Sequence, residues 1–216
     1  ELNQTIQVLK NDTLQFLQPV EGKIAYLAIK GSMKGNEWLN SNSYLSKRIE
    51  KNDTFFFEYD TTSDTTIPDN SLIQKRVEEV RKLIFNHTPI RFIPGPAWNH
   101  LTEKSLTDLI NNPFNTTIQS NRMGYAIKGP LLHLIENKSY LSSAVTKGTM
   151  QLLPNGEVII LMADHQTIGG YANIGQIILV DLPKLAQLKN NVDIHFNITT
   201  PQIAHTLYKE IQDWFK

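Results

Sequence analysis

Residues 148–181, "GTMQLLPNGEVIILMADHQTIGGYANIGQIILVD", decide how this chain is read. Two apolar runs flank Asn155-Gly156, the preferred pair for a type I′ hairpin in which both central residues take positive φ. "QIILVD" at the far end is a continuous apolar run, the pattern of a buried strand. Between them lies "ADHQTIGGY", a polar cluster followed by two adjacent glycines in a chain with only 11. Physical chemistry leaves two readings open here. The glycines permit a sharp bend between strands, with Asp164 as its brace. Alternatively, Gly169 and Gly170 bring backbone N–H groups close to an anion or a carbonyl. Asp164 then acts as a base or orienter, and Gln166 and Thr167 supply donors and acceptors.

Outward from this stretch the chain reads as strand-rich. "TLQFLQPV", "KIAYLAIKG" and "TFFFEYD" carry strand-like apolar patterns, and so do "IRFIPGP", "TTIQS", "GYAIKG" and "VDIHFNI". The polar "TTSDTTIPDNS" reads as a linker. A helix follows it with Leu72, Ile73, Val77, Val80 and Ile84 on one face, capped by Asp69, Asn70 or Ser71. "LTEKSLTDLINN" reads as a short helix capped by Thr102 or Ser105, and "DLPKLAQL" as another, opened by Asp181 as cap with Pro183 close behind. The last helix has Thr200 as cap, Pro201 at its first position and a face of Ile203, Leu207, Ile211 and Trp214. Strands do not alternate with long helices, which argues against a Rossmann-type sheet and favours barrels.

The totals narrow the function classes. The 216 residues balance 21 basic against 21 acidic side chains, so no global field draws nucleic acid or an acidic membrane. There is no cysteine, which excludes disulfides, thiolate metal sites and a cysteine nucleophile and fits a cytoplasmic setting. No apolar run is long enough to cross a bilayer as a helix. The start, "ELNQTIQVLK", has neither an initiator methionine nor a signal-peptide pattern, and the expectation is a piece of a longer protein. The six histidines are scattered without ligand spacing, and Asp164 and His165 are expected on opposite faces of a strand, so no metal site is expected. No phosphate-loop, dinucleotide or nucleophile-elbow motif occurs, and "KGSMKG" at 30–35 reads as a turn. Tyr171 reads as a core or rim aromatic, His195 as a rim or surface residue, and Arg122 and Lys147 as solvated charges or anion contacts.

One resemblance bears on all of this. Gly148, Gln151, Pro154 and Gly156, then Ala163, Asp164, Gln166, Thr167, Gly169, Gly170 and Tyr171, then Asp181, Leu182 and Pro183 match three consecutive patterns of the allophanate hydrolase subunit 2 family. Upstream, "RFIPGP", "SNRMGYAIKGP" and "AYLAIKGSM" are similar to further blocks of it. That family includes the 5-oxoprolinase C subunits, also known as KipI antagonists, and the biotin-dependent carboxyltransferase part of urea carboxylase. The chain departs from the pattern at Asn40-Ser41, where the family has glycine-serine, and in the shortened "LSKRIEKND" that follows. His165 stands for an arginine and Asn121 for an aspartate, which removes one charge of each sign; a contact between the two would make the change compensatory.

The resemblance implies a mainly β fold of cyclophilin-like barrel lobes with a few short helices. Residues 1–68 would form a partial N-terminal β lobe lacking the family's front portion, 69–88 a linker and helix, and 89–216 a C-terminal barrel lobe with a terminal helix. It implies a subunit of a bacterial, cytoplasmic, ATP-dependent 5-oxoprolinase, a hydrolase that opens a lactam to glutamate. ATP is used by the complex and no cofactor is bound covalently. The implied partners are a KipI-like subunit of the allophanate hydrolase subunit 1 family and a LamB/YcsF-like subunit, and the isolated chain is expected to be inactive. Asp164, Gln166 and Thr167 become the catalytic candidates, and Gly169, Gly170, Tyr171, Arg122, Lys147 and Gln151 the contacts to a small amide substrate. Two rival readings follow from the same family. One is carboxyl transfer with a biotin carrier; the other is a regulator that binds a KipI-like inhibitor of a histidine kinase.

Overall fold

A computed structural model describes residues 5–34, 49–58, 70–85, 89–136 and 138–213. In chain order its elements are β1 (Ser32–Lys34), β2 (Phe56–Glu58), α1 (Asn70–Ile84), β3 (Ile90–Pro94), α2 (Glu103–Asn111), β4 (Phe114–Thr116), β5 (Gly124–Lys128) and β6 (Ser143–Ala144). Then come β7 (Thr149–Leu152), β8 (Val158–Leu161), β9 (Ile168–Gly169), β10 (Ala172–Ile177), α3 (Leu182–Gln187), β11 (Asp193–Ile194), β12 (Phe196–Ile198) and α4 (Pro201–Asp213).

Eight strands form one sheet in the order β11-β4-β5-β8-β7-β10-β3-β12. Its two edge strands are consecutive pieces of chain separated only by His195, whose carbonyl accepts from the Ile90 N–H at 2.8 Å. The sheet therefore curls back toward its own edge and becomes barrel-like, which reduces the exposed edge an open sheet would carry. This is the mainly β, cyclophilin-like architecture expected. The interior is filled by Phe92, Phe114, Met150, Ile160, Ile174 and Phe196, each at most 2% exposed. Phe196 meets Phe92 and Phe114 edge-on, with ring centroids 6.3 and 5.6 Å apart, the geometry that aromatic quadrupoles favour. Each such fully buried side chain contributes about 1.5–3 kcal/mol relative to exposure.

Several expectations are corrected by the pairing. "TLQFLQPV" and "KIAYLAIKG" form no strand; Phe16, Leu17, Val20 and Tyr26 lie exposed. An apolar pattern makes a strand only where another edge accepts its hydrogen bonds, and among the described residues none pairs with them. "SMK" within the expected turn at 30–35 is instead strand β1, antiparallel to β2 and tied to it by the Lys34–Glu58 ion pair. "TTIQS" contributes only Thr116 to β4, which begins earlier, at Phe114. "QIILVD" leaves the sheet at Ile177 and turns through a short 3-10 segment, Leu179–Asp181, into α3. The strand there is "ANIGQI".

The 153–157 hairpin is also not type I′. Only Gly156 has positive φ, at 86°; Asn155 does not. The Gly156 N–H reaches the Leu153 carbonyl at 2.9 Å and the Leu153 N–H the Glu157 carbonyl at 2.8 Å. Pro154 and Asn155 thus occupy the centre of a type I-like turn and Gly156 supplies the left-handed residue after it, the three-residue alternative. Proline at the first central position fixes φ near the value such a turn needs.

The caps expected for α2 and α4 are found. Thr102 caps α2, accepting from the Ser105 N–H at 3.2 Å, and Thr200 caps α4, accepting from the Ile203 N–H at 3.3 Å. His195 is exposed, as expected of a rim residue. Residues 61–69 of the linker, the candidate cap Asp69, Asn40 and Ser41, residues 45–48 of "LSKRIEKND", His87 and Trp214 lie outside the described residues.

Candidate functional site

The stretch 162–171 leaves the end of β8, crosses the outer face of the sheet as β9 and enters β10. Asp164 and His165 lie in the turn directly after β8, not on the strand as expected. The turn is pinned from below by backbone bonds from Asp164 N–H to the Arg122 carbonyl (2.8 Å) and from Met162 N–H to the Met123 carbonyl (3.0 Å). These bonds extend the β5–β8 ladder past its ends and bring Arg122 level with Asp164. The Arg122 guanidinium then grips both carboxylate oxygens, Nη2 to Oδ1 at 3.0 Å and Nε to Oδ2 at 2.7 Å. Arg122 is 76% exposed and Asp164 31%, so the pair is open to solvent and fixes geometry more than it adds stability. Both carboxylate oxygens are thus taken up by one guanidinium.

The two departures at Asn121 and His165 flank this pair. Each is engaged locally: Asn121 Oδ1 accepts from the Met123 N–H at 2.8 Å, and His165 Nδ1 lies 2.5 Å from the Gln166 carbonyl.

The glycine pair has two distinct explanations. Gly169 belongs to β9, paired with Ser143 of β6. A Cβ on it would collide with Gln151 Nε2, so any other residue there requires the buried Gln151 amide to move. Gly170 is one residue past the strand and exposed, where the nearest atom to an added Cβ would be Ser142 Oγ at 3.3 Å. Tyr171, 48% exposed, begins the descent into β10.

Beneath this cover sits a polar pair that alternation alone would not place. Gln151 of β7 is directly opposite Asn173 of β10. Its neighbours Met150 and Leu152 fill the interior, so Gln151 faces outward under β9 and is still only 2% exposed. Its Oε1 receives the Gln166 amide at 3.5 Å, while its own Nε2 and Asn173 Oδ1 are buried without a partner among the described residues. An unpaired buried donor and an unpaired buried acceptor are each costly, and both stand at one position of the sheet. Gln166, Gly169 and Gln151 are thus brought together, and Asp164 and Arg122 form a second group at the end of β8. Thr167 is exposed and pairs through its carbonyl with the Val145 N–H at 3.0 Å. Lys147 lies apart from both groups, in the turn before β7, where its carbonyl accepts from Gln176 Nε2 at 2.8 Å.

A third charged group corrects the reading of Asp181. It does not cap α3: its backbone is helical (φ −97°, ψ −11°) and its side chain makes no capping bond. It is fully buried and receives Arg91 through Nε and Nη2, both at 2.8 Å, and through the Arg91 N–H, also at 2.8 Å. Lys184 Nζ adds a contact at 3.2 Å. Burial pushes the Asp181 carboxyl up, but the Arg91 side-chain and backbone bonds with the Lys184 and Arg91 charges outweigh it and hold the group below its ordinary value. Arg91 opens "RFIPGP" and Asp181 opens "DLP", but nothing local in a sequence joins positions 90 apart.

Among the described residues no cluster of three metal-ligating side chains occurs and no helix is long and apolar enough to cross a membrane.

The comparisons with known proteins agree with this architecture. The chain is 37% identical over 117 residues to the 5-oxoprolinase C subunit of Escherichia coli, and 36% over 121 residues to the protein of that name from Haemophilus influenzae. The matched segments are 54% and 56% of this chain, but only 37% and 39% of those relatives, so the matches span well under half of either. Among solved structures, K. lactis urea amidolyase superposes with a TM-score of 0.56 at 18% identity, over 62% of this chain and 9% of that one. Kluyveromyces lactis urea carboxylase gives 0.55 at 18%, over 58% and 12%. At that identity the likeness is one of fold. The model of the carboxyltransferase domain, subdomains A and B, matches residues 1–198, and the chain belongs to that family.

Proposed function

We propose that this chain is part of a subunit of an ATP-dependent 5-oxoprolinase, which opens the lactam of 5-oxoproline to glutamate together with KipI-like and LamB/YcsF-like partners. The observation that carries this reading is the 36–37% identity to two proteins named as the C subunit of 5-oxoprolinase. In the net reaction the lactam C–N bond breaks, water oxygen bonds to the carbonyl carbon, and the ring nitrogen leaves as the amine. Charge develops on the carbonyl oxygen, and fixed donors lower that barrier. Gln166 and the Gly170 backbone offer donors on the exposed side of the turn, Thr167 a hydroxyl beside them, and Asp164, held by Arg122, positions the turn. Gln151 supports Gln166 from beneath. ATP supplies the activation that an amide needs; we assign it to the assembled complex and route no step of this chain's chemistry through it.

In the test, the full-length protein is produced together with its KipI-like and LamB/YcsF-like neighbours. Glutamate formed from 5-oxoproline is followed with and without ATP, for the wild type and Gln166→Ala. The expected result is ATP-dependent glutamate that falls at least tenfold (about 1.4 kcal/mol) in the variant. An assembled wild-type complex that makes no glutamate refutes the reading. Carboxyl transfer is the second reading, favoured by the family model and the urea carboxylase likeness of the fold. It predicts instead a product that requires a biotin carrier.

A further inference from the structure

A groove of about 570 Å³ runs beside the Gly170–Tyr171 end of the candidate site. Its apolar walls include Leu132, Leu134, Leu152 and Tyr171, and its polar end carries Lys138 and Tyr140. The volume suits a small ligand.

The polar end has a defined hydrogen-bond direction. Lys138 Nζ lies 3.4 Å from His100 Nε2, and His100 Nδ1 lies 2.9 Å from the Tyr140 hydroxyl. An ammonium can only donate, so in this contact Nε2 accepts and Nδ1 is the nitrogen that faces Tyr140 with a proton. That proton is donated to the Tyr140 oxygen. The tyrosine O–H is therefore left to donate elsewhere, and burial pushes the phenol up, which keeps it protonated. Two donors, one of them cationic, thus stand on either side of one imidazole. Among the described residues that line the groove there is no aspartate or glutamate to neutralise them.

We infer that this groove binds a small organic acid, its carboxylate received by Lys138 and a second acceptor of the ligand by the Tyr140 hydroxyl, with its carbon skeleton against Leu134 and Tyr171. His100 is a positioning residue that sets the proton of Tyr140. The inference deepens the reading above and rests on it for the ligand's identity: 5-oxoproline carries a carboxylate beside its lactam, and with the carboxylate at Lys138 the ring extends toward Gly170.

Equilibrium dialysis with radiolabelled 5-oxoproline, and separately with glutarate, tests it on the chain purified with the subunits it assembles with. Lys138→Met should weaken binding of the acid tenfold or more, Tyr140→Phe about threefold to tenfold, and Lys138→Arg should retain most of it. Melting curves check that each variant is folded; Lys138 is exposed and its replacement leaves the core intact. Binding of 5-oxoproline that depends on Lys138 supports both the groove and the function. Glutarate binding that depends on Lys138, without 5-oxoproline binding, upholds the groove and sinks the 5-oxoprolinase reading. Binding of 5-oxoproline unchanged in Lys138→Met and Tyr140→Phe overturns the groove and leaves the function standing. No binding of either acid overturns the groove.

Discussion

Asp181→Asn is the sharpest test of how the barrel is held. The carboxylate is fully buried and is the shared counter-charge of Arg91, 25% exposed, and Lys184, 3% exposed. Asparagine keeps the shape but replaces one acceptor oxygen with an amide donor that must face a guanidinium N–H or the ammonium. It also removes the negative charge between two cations. Removing one partner of a buried ion pair costs about 3–5 kcal/mol. Water reaches Arg91 from one side, so the lower end, about 3 kcal/mol, is expected here. That is a large share of the roughly 5–15 kcal/mol typical of a domain. Urea unfolding at pH 7 should show a lower midpoint with an unchanged slope. The effect has a pH signature as well. The folded carboxyl lies below its ordinary value, so its contribution is present above the unfolded value of about 3.9 and is lost as pH falls through the folded one. Wild type and variant should therefore converge in stability below about pH 4. A loss under about 1 kcal/mol at pH 7 would mean that the triad is not a brace but a solvated pair. A gap that stays constant into acid would mean that the carboxyl is not what carries the difference.

Three further outcomes follow from the candidate site. Gly169→Ala drives a Cβ into the buried Gln151 amide and should cost about 1–3 kcal/mol, while Gly170→Ala, facing Ser142 at the surface, should stay within about 0.5 kcal/mol. Thermal melts that rank the two equally would remove the packing explanation of the glycine pair. Gln151→Leu removes a buried donor that has no partner and should leave stability unchanged or raise it by about 1 kcal/mol, while lowering glutamate formation by the complex; a loss above about 2 kcal/mol would show that the amide is satisfied in the folded protein. Arg122→Ala breaks an exposed pair and should cost under about 1 kcal/mol, yet reduce turnover in the complex because Asp164 loses its anchor; unchanged turnover would make the pair a surface feature alone.

How far the fold is legible in the sequence depends on what each element needs. Caps that satisfy themselves locally are readable: Thr102 and Thr200 cap as their positions suggest. An apolar pattern locates a strand only where an edge is waiting: β3, β5, β7 and β8 fall where their patterns put them and each has its partner. Leu14 and Phe16 have the spacing of a strand, but the spacing says nothing about whether an edge waits for it. β10 is hidden for another reason. Its register against β7 shifts between Asn173 and Gly175, so Ile174 and Gly175 are both buried and the period of two is broken inside "ANIGQI". The unbroken apolar run beyond it looks more like a strand than the strand itself.

The two adjacent glycines resolve along the same line. From chemistry alone, a bend and a ligand-approach loop are equally good readings of "ADHQTIGGY". The structure separates the pair: Gly169 is explained by contact with Gln151, whereas Gly170 is exposed and has no such packing demand. Packing therefore accounts for one glycine and leaves the other facing the groove that Gly170 and Tyr171 line. That groove's donors, Lys138 and Tyr140, come from a loop about thirty residues upstream in which no motif is visible, and His100, which orders them, comes from a third segment. A site assembled from three segments leaves no spacing to find. It becomes visible only once the hydrogen-bond direction, from ammonium to imidazole to phenol, can be followed in space.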